Sequence, residues 1–256
     1  MIAIDKVSKV PRKKGRPLSF DRDAALNQAM LLFWEHGYEA TSLNELTSAI
    51  GVTPSSIYSA FGDKKTLFFE AVGLYMTGGG SLQMMLDGAP TARAAVHAML
   101  TAAATGFTGE HTPKGCLLAS SALSCSESAS DVRQALGAIR RGIEAQVRDR
   151  IARGIAQGEM PADVDADALA ALTMAVIQGM STLARDGAAR EKLLRIVETA
   201  LQGWPLQPAA SIDATSIRHA GWPASSCRRS PPGGHRQTRC SSHVPSEIHT
   251  PGTRRA

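Results

Sequence analysis

"TSLNELTSAIGVTPSSIYSAF", residues 41–61, decides the fold. Its first half sets Ser42 and Glu45 three positions apart, the pattern of a capping box. Leu43, Leu46 and Ile50 then share one helical face, and Gly51 closes the helix. The second half begins with Thr53 as a cap and Pro54 at the first helical position, where a missing N–H costs nothing. Ile57, Ala60 and Phe61 fall on one side of it, and Pro54, Ser55, Tyr58 and Ser59 on the other. Two short helices joined by the tight turn at Gly51 and Val52 make a helix-turn-helix. The second is too short and too rich in hydroxyls to be a core helix. An exposed tyrosine between small hydroxyls suits a helix that enters the major groove of DNA. There, small side chains let the backbone come close and hydroxyls meet phosphates or base edges.

The flanking sequence supplies the rest of a headpiece. "FDRDAALNQAMLLFWEHG" (20–37) reads as a helix capped by Asp21, with Ala25, Leu26, Ala29, Met30 and Phe33 as its apolar stripe and Gly37 as its end. Asp63 caps "DKKTLFFEAVGLYM" (63–76), whose Leu67, Phe68, Ala71, Val72 and Tyr75 face inward. The three glycines at 78–80 stop that helix. Beyond them, helices are expected near 90–107, 116–125, 130–157, 165–185 and 188–202. "ADALAALTMAVIQGMSTLA" (166–184) is apolar or small nearly all round, and Ala170, Ala171 and Gly179 let another helix approach closely. A homodimer through the last two body helices is therefore expected. The expected fold class is all-α: an N-terminal three-helix helix-turn-helix headpiece plus a C-terminal helical domain for dimerisation. The expected boundaries are a basic arm at 1–19, the DNA-binding domain at 20–77, the dimerisation domain at 82–203, and a basic tail at 204–256.

Charge sharpens this division. The chain carries a formal net charge of +5. Residues 1–20 hold six basic side chains against Asp5, and 204–256 hold seven arginines against Asp213 and Glu247, while 21–203 hold 15 basic and 20 acidic residues. A basic arm on an acidic body points to a polyanion as the partner of the arm. The tail holds seven of the thirteen prolines and no lysine, so disorder is expected there, with the texture of a translated foreign reading frame. No run of about 18 apolar residues is found, so no membrane span is expected. The N-terminus lacks a secretory apolar core, which places the protein in the cytoplasm. Four cysteines in 256 residues are no disulfide framework. His235, His243, Cys227 and Cys240 fit no zinc spacing, and no GxSxG, phosphate loop, HExxH or dinucleotide fingerprint occurs. No metal, cofactor, catalytic residue or enzymatic activity is expected.

From "GRP" at 15–17 to "FFEAV" at 68–72, the ordered pattern "GYEATSL…L…AIGV…SIY.AF..K..LF" resembles the DNA-binding headpiece of the TetR-type repressor family. The resemblance implies a homodimeric, all-helical transcription factor that binds a double-stranded DNA operator and is controlled by a small molecule, which makes the helical domain at 82–203 its ligand-binding and dimerisation domain. It implies that the positions of Tyr58, Thr41 and Lys64 hold phosphates, that Pro54, Ser55 and Ser59 lie in the groove, and that Asn44 reaches a base. With Arg16 of the arm and Thr53 and Ser56 of the recognition helix, these form the expected DNA-binding set.

The effector side is sparser. "KGCLLASSALSCSES" puts Cys116 and Cys125 at the two ends of one short helix, and related repressors with a similar "GCLL" segment suggest that it lines the ligand cavity. His97, Met99, Met174, Gln178 and Met180 are further cavity candidates, although methionine at helical spacing is more often core. The expected function is a ligand-responsive DNA-binding regulator, a repressor released from its operator by a small apolar effector. The alternative is a thiol-based redox or electrophile sensor switched through Cys116, whose thiolate a helix N-terminus would favour.

Overall fold

The structure, a computed structural model, describes residues 20–78, 80–123 and 129–206. The arm with Arg16, the tail, and Cys125 lie outside the described residues. The described residues form helices α1 (Arg22–Ala40), α2 (Leu43–Ile50), α3 (Pro54–Phe61), α4 (Lys64–Gly78), α5 (Leu82–Gly88), α6 (Ala92–Phe107), α7 (Leu117–Leu123), α8 (Ser130–Ala156), α9 (Ala166–Arg185) and α10 (Arg190–Gln202).

Local chemistry sets the headpiece boundaries. The Asp21 carboxylate accepts the N–H groups of Asp23 and Ala24, and helical dihedrals break at Gly37 (φ 83°, ψ 171°). Ser42 and Glu45 form the reciprocal capping box on α2. Gly51 adopts φ 76°, which a residue with a side chain rarely does, and donates to the Thr47 carbonyl at 2.9 Å to turn the chain into α3. Thr53 caps α3, and Asp63 accepts the Thr66 N–H at 2.6 Å to start α4.

The apolar faces close over an aromatic cluster. Phe68 lies at its centre, fully buried, with ring centroids 5.1 Å from Phe33, 5.0 Å from Tyr38 and 5.6 Å from Phe69. Leu46 from α2 and Ile57 from α3 are fully buried against this cluster. The recognition helix is therefore held by one face only.

In the body, α6 packs on α9, α10 and α8 around Val96, Leu100, Ile151 and Met180. Arg150, 5% exposed, ties α8 to the α5–α6 corner through the Leu86 carbonyl (3.1 Å), the Ala89 carbonyl (3.3 Å) and Glu159 (3.4 Å). The sequence reading missed α5. Its seven residues, capped by Ser81, bury only Leu86 and so carry no apolar period. The reading also found no apolar run long enough to span a membrane, yet by length and composition α9 is long and apolar enough. It packs against α6, α8 and α10 and buries Ala170, Thr173, Met174, Met180, Ser181 and Ala184, the behaviour of a core helix. Its outer face is apolar and uncovered: Leu172 is 52% exposed, Ala171, Ala175 and Gly179 are exposed, and a Cβ on Gly179 would meet nothing within 4 Å.

Headpiece and body are joined chiefly by α1 against α7. The Trp34 indole donates to the Gly115 carbonyl at 2.8 Å, and Arg185 at the end of α9 donates to the Trp34 carbonyl at 2.6 Å. Lys65 of α4 pairs with Asp131 of α8 at 2.8 Å.

Candidate nucleic-acid interface and cavity

The outer side of α3 matches the sequence reading. Pro54, Ser55, Tyr58 and Ser59 are exposed, Tyr58 at 52%, while Ile57, Ala60 and Phe61 are buried. Ser56 is half-buried, and its hydroxyl and that of Ser55 each lie 2.9 Å from the Thr53 hydroxyl. Asn44 on α2 is exposed beside them.

Two expected phosphate ligands are placed differently. Thr41 is fully buried and donates its hydroxyl to the Gly37 carbonyl at 2.7 Å, so it closes the end of α1 instead of facing solvent. The resemblance fixed its position but not the direction of its side chain, and the break at Gly37 supplies an acceptor inside. Lys64 is half-buried, its ammonium 4.6 Å from the centre of the Tyr38 ring and 3.4 Å from the Glu39 carbonyl. Burial pushes its pKa down, against the upward pull of Glu39 and Glu45. Arg22 is also committed: it bonds Glu70, reaches the Ala60 carbonyl at 3.3 Å and stacks 4.3 Å over the Phe61 ring.

This leaves the headpiece electrostatically unusual for a DNA binder. Residues 20–78 carry three basic side chains (Arg22, Lys64, Lys65) against seven acidic ones, and each of the three already has a partner within the protein. Few side chains of the headpiece are therefore free to neutralise phosphates.

The larger cavity takes in only Met99 of the sequence candidates. It measures about 550 Å³ and lies between α1 and α4 of the headpiece and α5 and α6 of the body. Met30, Trp34, Tyr75, Met85, Met99 and Phe107 are among its lining, and no lining side chain is charged. Of the other candidates, His97 is not in its lining: its side chain is 42% exposed and lies 2.9 Å from Glu198 on α10. Cys116, Met174 and Gln178 do come together, with Met99, around a second cavity of only about 70 Å³. Met180 is fully buried core. Cys116 is half-buried and accepts a contact from the Tyr75 hydroxyl at 3.6 Å. Burial, with the neighbouring thiol, pushes the Tyr75 phenol far above its ordinary pKa. The missed residues carried one weak signal. Met30, already part of the apolar stripe of α1, and Trp34 stand four apart and so share a helical face.

A one-sided, hydroxyl-faced second helix on a three-helix platform, joined to a helical body with an apolar cavity, defines a helix-turn-helix DNA-binding regulator. Two family models divide the chain accordingly: "Bacterial regulatory proteins, tetR family" matches residues 25–71, and "Tetracyclin repressor-like, C-terminal domain" matches 92–200. The repressor ComR of Escherichia coli K12 is 35% identical over 207 residues, covering 80% of this chain and 98% of the relative. The repressor BdcR of the same organism is 39% identical over 71 residues, 28% of this chain and 34% of the relative. The TetR-family regulator CifR, solved as a cysteine-substituted form with 26 bp of double-strand operator DNA, is 43% identical with a TM-score of 0.71, covering 75% of this chain and all of that one. The chain belongs to the TetR family and is a DNA-binding transcriptional regulator.

Proposed function

We propose that the protein is a dimeric repressor that leaves its operator when a small, uncharged, apolar molecule occupies the 550 Å³ cavity. The observation that carries this reading is the position of the cavity: headpiece and body helices share its walls, so an occupant touches both parts at once. Its volume falls in the range of about 300–1,000 Å³ usual for small-molecule sites. Repression is supported by the likeness to ComR, and operator binding by the likeness to CifR, whose structure contains operator DNA. Dimerisation is assigned to α9 and α10, because the uncovered apolar face of α9 needs a partner and Gly179 leaves room for one. Two copies then set their α3 helices about 34 Å apart, one turn of duplex. The contact set is Pro54, Ser55, Tyr58, Ser59 and Asn44, with Thr53 and Ser56 at the helix start, Lys64 once its side chain swings outward, and Arg16 on the arm. The site of action is the cytoplasm.

Tyr58→Ala tests the interface. It should weaken operator binding by about tenfold or more, roughly 1.4 kcal/mol, and leave the melting temperature unchanged because the ring is half in solvent. Titration of labelled operator measures the first and calorimetry the second. Unaltered affinity would remove Tyr58 from the contacts.

A further inference from the structure

Trp34 stands at once in the wall of the cavity and in the seam between headpiece and body. Its ring lines the cavity beside Tyr75, centroids 4.8 Å apart at 79°. It is only 7% exposed, and its indole N–H crosses the seam to the Gly115 carbonyl at 2.8 Å. The carbonyl of the same residue accepts from Arg185 at 2.6 Å, and Arg185 reaches the Glu35 carbonyl as well, at 3.3 Å. The last carbonyls of the regular part of α1 are thereby satisfied by a cation from the end of α9, in the favourable sense of the helix dipole.

The acceptor is held just as firmly. Gly115 has φ 78°, and a Cβ there would stand 2.8 Å from the Ser181 carbonyl, so only glycine fits against α9. The next residue, Cys116, donates its N–H to the Ser181 hydroxyl at 2.8 Å. The indole therefore closes on a segment wedged against α9, and α1 in turn carries α2 and α3 through the shared core of Phe33, Leu46 and Ile57.

The occupant's chemistry follows from the lining. The lining has no charged side chain, and with the Trp34 N–H and Tyr75 hydroxyl already engaged only Asn27 and Thr112 offer it polar side chains, so a charged guest would find no counter-charge. Met30, Met76, Met85 and Met99 offer soft, deformable walls suited to aromatic or aliphatic surfaces.

We infer that Trp34 transmits occupancy: an uncharged aromatic or aliphatic effector displaces the indole, parts the bond to Gly115, and frees the end of α1 from the body. This rests on the effector reading given above. A ligand shifts a two-state equilibrium only by its difference in affinity for the two states. In the closed state the bonded indole is part of the wall the ligand meets. In the open state it is not, and that difference is the coupling.

The test uses the full chain and an uncharged aromatic probe, N-phenyl-1-naphthylamine, whose emission rises in apolar surroundings. With the unaltered protein, saturating probe should weaken operator binding by about tenfold or more, within the usual range of allosteric coupling. Trp34→Phe should still bind the probe, and no more weakly than the unaltered protein, while its coupling to operator falls below about threefold, because the smaller ring has no bond to lose. Full coupling in Trp34→Phe overturns the role of Trp34 and leaves the effector reading standing. No probe binding to the unaltered protein, or binding without any effect on operator, overturns the effector reading and this inference with it. Should Trp34→Phe fail to fold, hydrogen exchange of the unaltered chain decides. Faster exchange at 35–40 and 116–121 on adding probe supports the inference, and unchanged exchange overturns it.

Discussion

Deleting residues 1–14 lowers operator affinity about a hundredfold at roughly 0.15 M salt and flattens the slope of log K against log salt by about three to five units. Five cations leave with that segment: Lys6, Lys9, Arg12, Lys13 and Lys14. Each phosphate contact contributes about 0.9 to the slope on duplex DNA, so the two arms of the bound dimer give this flattening with about half of their cations on phosphates. The effect is large because the headpiece has little to put in their place. Its few basic side chains are bound to Glu70, Asp131 and the Glu39 carbonyl, and its acidic residues outnumber them. Filter binding or fluorescence anisotropy between about 50 and 200 mM salt measures the slope. A slope equal to that of the intact chain would mean that the arm does not touch DNA and that the acidic headpiece binds by some other means.

Phe68→Ala destabilises the protein by about 3–5 kcal/mol, a large share of the roughly 5–15 kcal/mol that holds an ordinary domain together. The side chain is fully buried and its ring touches three others, so its removal loses both transfer free energy and packing. The neighbours are rigid aromatics that cannot collapse into the gap, which puts the cost at the upper end of the usual range. Urea unfolding at a fixed protomer concentration measures it, since a dimer's apparent stability depends on concentration. A loss below about 1 kcal/mol would mean that the aromatic cluster is not what positions α3. Operator binding should fall together with stability here, whereas Tyr58→Ala should separate the two.

The headpiece was largely legible in the sequence because its signals are local. A capping box, a proline at the first helical position and one glycine with positive φ lie within residues 42–54 and fix two helix boundaries. Alternation of polar and apolar faces on α3 then told which side was left uncovered. Side-chain direction at the edges was harder to read. Thr41 turned inward because the break at Gly37 offered an acceptor, and Lys64 folded back over Tyr38; neither partner is adjacent in sequence to the residue it captures. The cavity was illegible for a different reason. Its walls come from four helices, so that Trp34 and Phe107, 73 positions apart in sequence, share one surface that no periodicity reveals. His97 looked like a cavity residue on composition, but the face of α6 that carries it lies against Glu198 of α10.

The central claim is that a duplex covers the outer face of α3. Protection of guanine N7 from dimethyl sulfate on a selected operator tests it most directly, because that atom opens into the major groove. The account predicts two protected clusters with centres about 10 base pairs apart, as expected for paired recognition helices one turn of duplex apart, and loss of both clusters in Tyr58→Ala at the same protein concentration. Tight binding with every guanine N7 still reactive would place α3 outside the groove and contradict it.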